Sequence, residues 1–366
     1  REQRTWAELL LTQFCMLESQ AIKSKFSSSP ESESLSSFRA WASFWEYNQN
    51  SSPQGGYATH SDVPRRQIWK EYYSVLSKFI LQSLPFPNAS MATAYSDSSH
   101  KSQQEAELRL VESKYEDLLL REVQFPRADQ TSDEVEEWAE LVVQNWRILC
   151  GSNWQAGDQD QSRREMLGRR VLDILYRAAT KTFHSTAILR HLFTVHLAVG
   201  DFDIAFKAFD TYLEIVKKGK ARVEKASEAE ESLDSDEAVL KTASECIRAL
   251  CRYGSREAAG RAKDLAQYFE DWLSKHHQQA QAVAGNDVTV LGYHAPVENG
   301  NLAQVDSLIS PQVLAIAWRS IGIAKAQWAR VTYDAGARSD IQVRAIKSFR
   351  KALSPEYNST DSVETL

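Results

Sequence analysis

The chain has 366 residues, a net charge of −6, and ordinary apolar (43%) and charged (25%) fractions. That length allows two or three compact domains or one elongated repeat array. No apolar run is long enough to span a membrane, and the acidic balance leaves no electrostatic footprint for a nucleic acid.

Turn residues are scarce: 14 glycines and 9 prolines, with no proline between Pro126 and Pro296. A sheet protein of this size needs more, so the composition predicts an all-α chain. Periodicity predicts a first amphipathic helix over 4–24, with Trp6, Leu9, Leu10, Phe14 and Leu17 on its core face. A Ser-rich break, Ser27 to Ser37, precedes a short aromatic helix carrying Phe38, Trp41, Phe44 and Trp45. After a Gly/Pro/Ser loop, Asn48 to Pro64, a helix over 65–83 presents Trp69, Tyr72, Tyr73 and Leu76. Across a polar insertion, Pro85 to His100, its partner over 102–122 turns Ala106, Leu110 and Ser113 inward.

A third hairpin spans 132–182, with Trp138, Leu141, Val142 and Asn145 on one helix and Leu167, Val171, Ile174, Leu175 and Ala178 on the next. Ser132 followed by Glu134, Glu136 and Glu137 reads as a helix start, since first-turn carboxylates favour the positive helix end. The fourth hairpin covers 185–217 and the fifth 236–278, the latter turning at Tyr253–Gly254 before Ala258, Ala262, Leu265, Phe269 and Trp272. A loop over 281–310 leads to a last hairpin, 311–354, whose first helix runs to Tyr333 before Gly336 breaks it. The expected organisation is N-terminal hairpins over 1–126, central hairpins over 130–280, that loop, the last hairpin, and a polar tail, 355–366. Read as a piece of a longer protein, they form one continuous solenoid.

Two of these hairpins carry tetratricopeptide spacing. In the fourth, Leu189 and Leu192 precede a Gly200–Asp201 turn, then Ala205 and Phe209; in the last, Trp318, Ile321 and Gly322 face Ala345, Phe349 and Ala352. Small residues at these positions let helices approach, and the aromatic fills the space beside them. The fold expected is an irregular tetratricopeptide-repeat α-solenoid, a right-handed superhelix of helical hairpins.

Chemistry-bearing patterns are sparse. Cys15, Cys150, Cys246 and Cys251 lack ligand-pair spacing and read as reduced core thiols of a cytoplasmic protein. His184, His191 and His196 are expected along one helix without a third metal ligand on a shared face, so no metal or cofactor site is assigned. The acidic run from Glu228 to Glu237 lacks the alternating ligands and glycine of a calcium loop. The basic run before it, Lys217, Lys218, Lys220 and Arg222, could face an anionic membrane or be neutralised by that acidic neighbour. Tryptophans 41, 45, 272 and 328 are candidate contact anchors wherever they are exposed. No arrangement suggests a reaction, and the chain is read as not an enzyme.

Several segments resemble one family. Leu108 to Ala128, the run from Leu172 to Val223, Ser235 to Glu237, Ile247 to Gly254 and Trp318 to Gly322 are similar to tetratricopeptide repeat protein 7 and its fungal relatives, labelled filamentation or cargo-transport proteins. The resemblance covers about 105–355. It implies a non-catalytic scaffold, peripheral at the plasma membrane, that joins a phosphatidylinositol 4-kinase to a lipid-anchored helical-repeat partner. The alternative is another tetratricopeptide adaptor, a vesicle-transport or chaperone-associated subunit.

Overall fold

The computed structural model describes residues 2–24, 35–51, 63–84, 97–123, 131–151, 160–226, 234–253, 255–286 and 309–354. Among them the chain is all-α, with no strand. Its helices are α1 (Glu2–Ser24), α2 (Ser36–Ser51), α3 (Arg65–Leu81), α4 (Asp97–Glu122), α5 (Asp133–Leu149), α6 (Asp160–Ala179), α7 (Thr186–Val199), α8 (Phe202–Ala226), α9 (Asp236–Tyr253), α10 (Arg256–Asn286), α11 (Pro311–Val331) and α12 (Ala335–Ala352). They divide into two compact units, Arg1–Ala205 and Phe206–Leu366, with the boundary inside α8.

In the first unit α1 packs on α2 and α3, α3 on α4 and α5, and α5 on α6 and α7, while α6 and α7 also pack on each other. Aromatic rings fill the α1–α3 end. Phe38 stacks on Tyr72 at 4.9 Å between centroids, and Trp41 meets Trp69 edge-on at 5.2 Å. Offset and edge-to-face contacts of this kind add to simple area burial.

Farther along, the core turns polar. Tyr73 occupies a position where the repeat pattern wants a small residue. Its ring is fully buried and its hydroxyl donates to Glu112 Oε2 of α4 at 2.8 Å. Asn145 Nδ2 of α5 donates to Tyr73 Oη at 3.1 Å and to Ser77 Oγ at 2.8 Å, and Arg170 of α6 pairs with Glu112. One buried network thus ties four helices, which is why a tyrosine stands there.

In the second unit α9 packs on α10 and α11, and α12 packs on α11. Gly322 of α11 lies against the Phe349 ring so closely that a Cβ would come within 2.7 Å of it. Lys325 of α11 reaches both Glu270 oxygens of α10, at 2.7 and 2.8 Å, and Ser348 Oγ of α12 at 3.1 Å.

Several expectations need correction. On α4 the predicted inward set, Ala106, Leu110 and Ser113, faces solvent, with Leu110 50% exposed; the buried face is Leu108, Val111, Glu112, Tyr115 and Leu119. That face holds the larger apolar groups, and their burial outweighs the small-residue register. Gly336 does not break a helix: α11 ends at Val331, and Asp334 caps α12, its carboxylate accepting from Ala337 N at 2.6 Å, with Gly336 in the first turn. α4 begins at Asp97 inside the expected insertion, and α10 continues to Asn286 beyond the expected start of the loop. The Ser132 hydroxyl makes no cap bond; its backbone N donates to Thr182 Oγ1 at 3.2 Å instead. Gly254, most of the loop over 281–310 and the tail 355–366 lie outside the described residues.

Candidate interaction surfaces

On α1 the expected core face is the exposed one. Trp6 is 65% exposed, Leu10 56%, Phe14 57% and Leu17 60%. Their spacings of four, four and three keep them on one stripe of a helix, flanked by exposed Gln3, Arg4, Gln13 and Gln20 and by half-buried Glu18. The opposite face, turned inward, is largely polar: Glu8, Thr12, Cys15, Ser19 and Ile22 are buried.

Hydrogen bonds explain the inversion. Trp41 Nε1 of α2 donates to Thr12 Oγ1 at 3.3 Å. Ser19 donates to Glu71 of α3, Lys23 Nζ sits 2.6 Å from Glu71 Oε2, and Gln67 donates to its other oxygen at 3.1 Å. Burial alone would push the Glu71 carboxyl up, but these donors outweigh it and hold it below the ordinary value. α1 is therefore fixed by a polar seam, and its large apolar side chains are left facing outward.

The tryptophans proposed as anchors sort differently. Trp41 and Trp45 are core residues, 1% and 4% exposed, while Trp272 and Trp328 are half-buried. Trp6, expected in the core, is the exposed one.

The basic run ends α8 in the second unit. Lys217 Nζ lies over the Tyr268 ring at 4.0 Å, Lys218 pairs with Glu214 at 2.6 Å, and Lys220 pairs with Asp236 while lying 4.3 Å over the Trp272 ring. Arg222 is exposed and also engaged. These contacts draw the lysines onto their own unit instead of gathering them into a bare cationic face. Of the acidic run, Asp234 accepts from Tyr212 Oη at 3.0 Å, and Glu237 accepts from Ser310 N at 2.6 Å; residues 227–233 lie outside the described set.

The three histidines do not share a helix. His184 sits before α7 with a left-handed φ of 53°. His196 lies between Tyr176 Oη, 2.7 Å away, and Asp201, 3.4 Å away. His191 is fully buried with Nε2 3.0 Å from Glu140 Oε2. No group of three metal-ligating side chains occurs among the described residues. Burial of Cys15 pushes its thiol up to about 12, and all four cysteines are free.

Burial also holds the His191 imidazole below its ordinary value of 6.5, against the pull of Glu140. A base depressed in the folded state contributes stability that is present above pH 6.5 and lost as pH falls. Glu140, held down to about 2 by His191 and then by Gln144 and Arg190, loses its contribution only below 4.5. The thermal midpoint is therefore expected to fall as pH is lowered from about 7.5 to about 5.5. His191→Gln should flatten that slope; an unchanged slope would assign it elsewhere.

The repeat-packing residues are placed as follows. Leu192, Ala205 and Phe209 are buried and Leu189 is half-buried; Gly200 closes α7 with a φ of 88°, a turn requirement and not a packing one. Trp318, Ile321, Gly322 and Ala345 are buried, and Phe349 and Ala352 half-buried. No described helix is long and apolar enough to cross a membrane. Compared with known proteins, the chain matches no family model, no curated protein and no solved structure.

Proposed function

We propose that the chain is a scaffold that docks an amphipathic helix of a partner along α1. One observation carries this: four large apolar side chains, each more than half exposed, on a single helical stripe. Their spacing is that of a helix–helix seam, which suits a partner seam of leucine-like residues. Following the resemblance, that partner belongs to a complex in which a phosphatidylinositol 4-kinase meets its lipid-anchored helical-repeat subunit at the plasma membrane. Membrane association is then indirect, and no reaction is assigned to the chain. The stacking of odd-numbered helices in the first unit supports a tetratricopeptide-like solenoid as the framework.

The test compares the wild-type chain with a Leu10→Asp/Phe14→Asp variant in affinity capture from a membrane extract, read by mass spectrometry. Both positions are exposed, so folding should change by no more than about 0.5 kcal/mol each. The wild type should recover the kinase or its lipid-anchored partner, and the variant should not. Equal recovery by both would remove α1 from the reading; recovery of coat subunits or chaperones instead would remove the kinase complex.

A further inference from the structure

The second unit holds a cleft of about 380 Å³ between α9, α11 and α12, and its charge is one-sided. Four arginines line it, Arg248 and Arg252 from α9 and Arg319 and Arg330 from α11, with no carboxylate in the lining. The chain as a whole is acidic, at −6. Among the described residues Arg248 and Arg252 have no ion-pair partner, and Arg330 bonds only the neighbouring Gln327 side chain, at 3.2 Å. Cys251, which also lines the cleft, is pushed up to about 11 by burial, so it stays a neutral thiol.

The arginines are strung out, not convergent. Arg319 and Arg330 stand eleven residues apart on one helix, about 16 Å along its axis, whereas Arg248 and Arg252 are one turn apart on the facing helix. Between the α11 pair the wall carries Ile323, Ala326 and Gln327, with Phe349 of α12 making the other apolar contribution. A single phosphate would engage one end only. An extended peptide of five residues covers about 16 Å.

We infer that this cleft binds an acidic linear segment of another protein, with carboxylates toward both ends and one apolar side chain between them. Guanidinium groups pair with carboxylates through two parallel N–H donors, which rewards arginine over lysine at such positions. The apolar residue sits on Ile323 and Phe349, and the flanking acids meet the arginines of α9 and α11. This site is separate from α1 and does not depend on the scaffold reading.

The probe is a short fluorescent peptide with the core Glu-Glu-Leu-Glu-Glu, titrated by anisotropy into the full chain. Controls replace glutamate by glutamine, or leucine by serine. Binding should weaken with added salt and fall about tenfold or more in Arg252→Gln/Arg330→Gln. Lysine at the same two positions should restore it only in part. Both arginines are exposed, so the thermal midpoint should not move, and Leu10→Asp/Phe14→Asp should bind the peptide normally. Three results would overturn the inference: no binding by the wild type, equal binding by the glutamine variant, or equal binding of the leucine-to-serine peptide. Direct binding of inorganic phosphate, or capture on phosphatidylserine vesicles, that is lost in the glutamine variant while no peptide binds would make the cleft a phosphate or lipid site instead.

Discussion

Arg170→Met is expected to lower folding stability by about 2–3 kcal/mol at pH 7, less than the 3–5 kcal/mol of a fully buried pair because the Arg170 side chain is 36% exposed. Glu112, 7% exposed, would be left with Tyr73 as its remaining donor in the core. Burial already pushes that carboxyl above its ordinary range, and Arg170 is the largest influence opposing it. An acid raised in the folded state favours folding at low pH, and that contribution is lost as pH rises through the raised value. The variant should therefore be closer to wild type at pH 5 than at pH 7 in urea denaturation. Adding Glu112→Gln should recover much of the loss at pH 7, since no charge is then stranded. A deficit that is the same at both pH values would mean that packing of the Arg170 stem, not the charge, is what the variant removes.

The second large effect is at Gly322. In the middle of a helix, glycine to alanine ordinarily stabilises by about 1 kcal/mol. Here the added Cβ would stand 2.7 Å from two Phe349 ring atoms and 3.0 Å from a third. Gly322→Ala should instead destabilise by on the order of 1–3 kcal/mol, and Gly322→Leu by more. Phe349→Ala in the same chain should restore the ordinary sign of the alanine substitution. Chemical denaturation of the two single variants and the double variant measures this coupling directly. A stabilised Gly322→Ala would show that the ring moves aside freely.

Much of this architecture could be read from the residues alone. The helices among the described residues fall near the expected spans because apolar periodicity and the scarcity of glycine and proline are local signals. The Gly322–Phe349 pairing is anticipated by small and aromatic residues at fixed offsets. What was not legible depends on partners far along the chain. On α1, hydropathy assigns Trp6, Leu10, Phe14 and Leu17 to the core, yet the helix is held by Trp41 and Glu71, which lie one and two helices away. On α4 the small-residue register competes with a bulkier face, and burial decides for the bulk. The close approach of Gly168 to Val199, where a Cβ would collide with Cγ1, has no sequence signal beyond one helical glycine. The arginine cleft escapes notice because its halves lie about seventy positions apart and each reads as ordinary surface charge.

The inverted α1 also has a spectroscopic consequence. Of the described tryptophans, Trp6 alone is mostly in water, while Trp41, Trp45, Trp69, Trp138, Trp146 and Trp318 are shielded by protein. Its indole emits at the red edge of the spectrum and is open to a collisional quencher such as iodide, whereas the buried indoles are not. Anything that covers the α1 stripe moves this indole from solvent to an apolar contact. The chain thus carries a built-in optical reporter at the one surface where a partner helix is proposed to settle.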